Sequence, residues 1–137
     1  VEVSNADAMP VAMISSSTPF QVQLCRKEGQ GTCNPGSGDV ASSVDVPSNK
    51  RLVIEFVSAK CGLAPSPNYL YMLVLRTTAG STRLDHHLPG INPAFVVALE
   101  TRIYADPGTT VDFSDILSDS SDAAACYMTI SGQLVNP

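Results

Sequence analysis

An antiparallel β-sandwich, jelly-roll-like and stapled by two disulfides, is the fold class this sequence predicts, and three observations predict it. Apolar residues make up 44% of the 137 and charged ones only 15%, a balance that suits short strands joined by turns better than long surface helices. Short apolar runs recur at roughly ten-residue spacing, separated by turn signals such as "NPGSGD", "VPSNK", "APSPN", "TAGS", "LPGINP" and "DPGT". Four cysteines stand without any C-x-x-C and without a histidine close by, a pattern that fits bridges and no zinc site. The chain reads as a single domain over 1–137, with its core over 20–135 and an extension over 1–14. That length suffices to bury about two thirds of the unfolded surface in one core.

The extension carries Val1, Val3, Met9, Val11, Met13 and Ile14 and is followed by the flexible "SSST". It reads as a strand that lies on its own sheet or completes a neighbour's sheet by strand addition, which would also cover an exposed edge. A strand donated head to tail makes a heterologous contact, and such contacts generate rings or filaments. Next, "FQVQLC" alternates, with Phe20, Val22 and Leu24 on one face and Gln21 and Gln23 on the other. "RLVIEFVS" repeats the pattern with Leu52, Ile54 and Phe56 expected inward and Glu55 outward. "LYMLVLRTT" is apolar on both faces and reads as a central strand or one lying under a loop. "TRLDHHL", "AFVVALE", "TRIYA", "TTVDFS" and "CYMTISGQLV" are further strands, the last with Gly132 as a bulge or close-approach point.

Cys25, Cys33, Cys61 and Cys126 allow three connectivities. We expect Cys25–Cys33, which closes a local hairpin in "CRKEGQGTC", and Cys61–Cys126, which joins the ends of two apolar runs expected to be neighbouring strands. Loop-closure entropy makes the long-range bridge worth about 4 kcal/mol and the local one about 2.5 kcal/mol. Disulfides persist in oxidising compartments, so a secreted or cell-surface location is expected. The competing reading is four buried thiols in a cytosolic protein. No charged n-region precedes an apolar core at the N-terminus, so export implies a signal already removed.

The net charge of -5, with eight scattered Lys and Arg, argues against nucleic acid, which requires a basic face. The longest apolar runs fall far short of the roughly 20 residues a membrane helix needs.

The blocks "KRLVIEFVSAKC", "LRTTAGSTRLDHHLP" and "TRIYADPGTTV", followed by a cysteine strand closing on "SGQLV", resemble a group of uncharacterised secreted bacterial all-β proteins over roughly residues 20 to 135. The resemblance implies an exported all-β protein with cysteines at matching places. It implies no activity, catalytic residue or ligand.

Motifs that carry chemistry are few. Asp85, His86 and His87 hold the only two histidines, and adjacent strand residues point to opposite faces, so the two imidazoles are not expected to share a metal. No G-x-S-x-G elbow, H-E-x-x-H or glycine-rich phosphate loop occurs. Asp112, Asp115, Asp119 and Asp122 lie within eleven residues, weak calcium candidates because the order departs from an EF-hand loop. A solvated acidic loop is the expectation there. Saccharide-binding sheets use exposed aromatic rings. The chain has no Trp, and Tyr69, Tyr71, Tyr104 and Tyr127 are the candidates.

The sequence therefore points to a non-catalytic, exported structural subunit without a cofactor, forming a homo-oligomer or polymer through its edges or residues 1–14. An extracellular carbohydrate- or ligand-binding module is the alternative.

Overall fold

The computed structural model describes residues 17–28, 43–64, 70–90, 95–117 and 123–137. Eight strands fill them: β1 (Ser17–Glu28), β2 (Ser43–Asp45), β3 (Arg51–Ala64), β4 (Leu70–Ala79), β5 (Thr82–Leu88), β6 (Val96–Ala105), β7 (Thr110–Leu117) and β8 (Ala123–Val135). They form two antiparallel four-stranded sheets, ordered β1-β8-β3-β6 and β2-β7-β4-β5. The pairs β1/β8, β2/β7, β3/β6 and β4/β5 are nested, so the chain runs as one long antiparallel hairpin whose tip is the β4–β5 turn. "LYMLVLRTT" is interior to its sheet, between β7 and β5, and Leu73, Val74 and Leu75 are all buried. The runs "AFVVALE" and "TRIYA" are not two strands but one, β6, because the long β3 pairs with both.

Register is set by a bulge. On β3, Glu55 has no partner across β8, where Gly132 pairs with Ile54 and Ser131 with Phe56. The inserted residue reverses the alternation. Leu52 and Ile54 are fully buried as expected, but Phe56 is 38% exposed and Val57 takes the core position. The inward placement expected of Phe56 is thus wrong, since a strict period of two holds only while the ladder is unbroken. Gly132 is the close-approach point the sequence marked: a Cβ there would run into the backbone of Val53 and lie 3.1 Å from the Ile54 Cα.

One hydrophobic cluster joins both sheets. Leu24, Ile54, Val57, Met128 and Ile130 from the first meet Leu73, Leu75, Val111 and Phe113 from the second. Phe20 and Val22 pack against it, as the alternation of "FQVQLC" predicts. Each large aliphatic or aromatic side chain so enclosed contributes about 1.5–3 kcal/mol. An ion pair also crosses between the sheets: Arg26 Nε on β1 lies 3.1 Å from Asp115 Oδ1 on β7.

The β4–β5 turn has two residues, Gly80 at φ 60° and Ser81 at φ 63°, the type I′ form that matches strand twist. Asp106 of the "DPG" turn ties this tip down. Its amide donates to Thr78 O at 2.8 Å, and its Oδ2 accepts from Gly80 N at 2.6 Å.

Cys61 and Cys126 are directly opposed on β3 and β8 and bonded to each other. Of the two expected disulfides this one is described. Cys33, the expected partner of Cys25, lies outside the described residues.

Candidate functional site: the outer face and free edge of the first sheet

Among the described residues, the expected chemical residues are not brought together. His86 stands opposite Leu75 and His87 opposite Val74, so the two rings do point to opposite faces. His86 Nε2 is 2.9 Å from Thr77 Oγ1, the spacing of a nucleophile and its base. Thr77, however, is 1% exposed and closed to substrate. Asp85 lies on the other face and instead meets Arg76 Nε at 3.2 Å. Burial lowers the His86 pKa below 6.5, opposed by the Asp85 charge and reinforced by His87.

The acidic run is not a solvated loop in its first half. Asp112 and Asp115 sit on β7, Asp112 paired with Arg83 at 3.2 Å and Asp115 with Arg26. Asp112 faces Arg76 across the ladder and Asp115 faces the buried Leu73. They therefore occupy opposite faces, and each holds an arginine rather than sharing a cation. Alternation along a strand decides this: the expectation of a solvated acidic loop did not follow the strand read in "TTVDFS" through to Asp115, where β7 continues to Leu117. Asp119 and Asp122 lie outside the described residues, as do Val1, Val3, Met9, Val11, Met13, Ile14 and Tyr69. Among the described residues no group of three His, Cys, Asp or Glu is placed to hold a metal, and no helix is long and apolar enough to cross a membrane.

Two surfaces of the first sheet remain. The first is its edge at β6. Among the described residues no strand pairs with the outer side of β6, although Val96 and Leu99 are 46% and 39% exposed. An apolar groove of about 450 Å³ runs along them, bounded by Pro89 and Gly90. Gly90 is required beside it, because a Cβ would sit 2.6 Å from the buried Phe95 ring.

The second surface is the outer face. The register aligns Gln21, Ser131 and Phe56 in one row and Gln23, Thr129, Ser58 and Ala98 in the next. Cys25, Tyr127, Lys60 and Val96 make a third. Tyr104, 44% exposed, lies on the same face opposite Val53. No protein-family model matches this chain, and no curated protein matches it.

Proposed function

We propose that the chain is a non-catalytic, exported structural subunit, built as a jelly-roll sandwich, that assembles by strand addition at its β6 edge. The nested strand pairs and the orders β1-β8-β3-β6 and β2-β7-β4-β5 support the jelly roll, in which eight strands in two Greek keys enclose one core. The Cys61–Cys126 bridge supports an oxidising compartment.

The observation that carries the assembly reading is the β6 edge. Natural sheets blunt long edges with charge, proline or a covering segment, yet the first four residues of β6, "VVAL", carry no charge or proline, border the apolar groove and, among the described residues, pair with no strand on their outer side. Residues 1–14 supply a segment of matching character, with Val, Met and Ile among small polar residues. Donated by a neighbouring subunit, it would pair with the main-chain groups of β6 that no described strand uses and place apolar side chains against Val96 and Leu99. The resemblance of "KRLVIEFVSAKC" and the later blocks to secreted bacterial proteins implies the same setting.

Deletion of Val1–Ile14 tests this. We expect the full chain to form rings or filaments by electron microscopy and light scattering, and the truncated chain to remain a folded monomer that binds a peptide of residues 1–14. A charge placed on the edge by Leu99→Lys should block assembly in the full chain. A full-length protein that is monomeric at high concentration, or a truncated one that assembles unchanged, refutes strand donation.

A further inference from the structure

We propose that the outer face of the first sheet is a trough that binds a neutral saccharide chain. It adjoins the β6 edge at Val96, Val97 and Ala98, which line both the edge groove and one end of the trough, while the end at Gln21 and Ser131 is separate from that edge. Two depressions of about 310 and 330 Å³ lie on that face. One is lined by Gln21, Ser131 and Gln133 beside Phe56, the other by Gln23, Ser58 and Thr129 beside Tyr127. The register makes them adjacent, since the Gln21–Ser131–Phe56 row and the Gln23–Thr129–Ser58 row are two residues apart along each strand, about 6.8 Å.

The trough follows from side-chain length. The central strands β8 and β3 contribute the short Ser131, Thr129 and Ser58, which form its floor. The flanking β1 contributes the longer, exposed Gln21 and Gln23, which form a wall. Hydroxyls and amides are each both donor and acceptor, the requirement for pairing with sugar hydroxyls. Rings supply the complementary apolar contact for sugar C–H faces: Phe56, 38% exposed, lines one depression and Tyr127 the other.

Other occupants fit less well. A peptide strand needs unused backbone groups, but those of β8 and β3 are spent on neighbours at both sides. A polyanion or polycation needs charge of one sign, whereas this face carries both, with Lys60 at one depression and Glu55 at the other. A second copy of the chain would need an apolar centre, and the floor between the two depressions is Ser131, Thr129 and Ser58.

The test is backbone-amide NMR of the disulfide-bonded protein titrated with hexasaccharides of cellulose, chitin, β-1,3-glucan and β-mannan, and with a sulfated hexasaccharide as anionic control. At least one neutral hexasaccharide should shift the amides of Gln21, Ser58, Thr129 and Ser131. Filling the floor with Thr129→Arg should weaken that binding at least tenfold. Gln21→Ala, at an exposed position that leaves the fold intact, should weaken it several-fold and decides the case if Thr129→Arg destabilises. The proposal is overturned if no neutral hexasaccharide binds, if the sulfated one binds in preference, if the shifts map elsewhere, or if Gln21→Ala and a folded Thr129→Arg bind as the parent does.

Discussion

Replacing Gly132 by alanine should cost more stability than any other single-methyl change in the first sheet. A Cβ at that position would press on the Val53 carbonyl oxygen and lie 2.9 Å from the Val53 carbonyl carbon and 3.1 Å from the Ile54 Cα. All three atoms are backbone, so no rotamer change relieves the clash. The strands β3 and β8 must separate where they are held by the ladder on both sides of the bulge, and Ile54 and Ile130 on the core face must move with them. Inserting a methyl into a packed site costs about 1–3 kcal/mol when side chains give way. Here only backbone can give, so we place the effect at the upper end of single-mutation effects, about 3–5 kcal/mol. For a domain of this size that lowers Tm by roughly 10–20 °C. Urea unfolding with disulfides intact would measure it as a lower midpoint at unchanged m. A loss below about 1 kcal/mol would show that the close approach at the bulge is not a constraint, and the register drawn from it would be wrong.

Four further outcomes are expected. Ser81→Gly relieves a positive φ at a non-glycine residue and should stabilise by about 0.5–1 kcal/mol in thermal unfolding; a loss would contradict the type I′ turn. Arg26→Ala leaves the 2% exposed Asp115 carboxylate without its guanidinium; because Arg26 is a third exposed, the expected loss is about 1–3 kcal/mol, below that of a fully buried pair, and a neutral result would sink the inter-sheet pair. His86 is harder to protonate folded than unfolded, so stability should fall as pH drops through 6.5 toward its lower folded pKa and level off beneath it; NMR titration of the imidazole and a flat profile in His86→Gln check this, and a folded pKa above 6.5 would refute it. Non-reducing peptide mapping should recover Cys61–Cys126 and Cys25–Cys33, and alkylation of two thiols per native chain would remove the second bridge.

Strand content was legible in the sequence because apolar residues and turn residues are local signals. Phe20, Val22 and Leu24 alternate as they pack, "TAGS" and "DPG" sit at turns, and Gly132 marks a close approach even before its neighbour is known. The pairing of Cys61 with Cys126 followed from expecting their two runs to be adjacent strands. What the chain alone did not disclose depends on which strands meet. Phe56 points outward because Glu55 has no partner on β8, a mismatch that exists only once β3 and β8 are in register. Asp112 and Asp115 read as one acidic cluster along the chain, yet a strand turns them to opposite faces and gives each an arginine 29 or 89 residues away. The outer trough assembles hydroxyls and amides from β1, β3 and β8, separated by some 110 residues between Gln21 and Ser131. Side-chain periodicity is a property of neighbours in sequence, whereas a surface is made by neighbours in the ladder, and only tertiary pairing decides those.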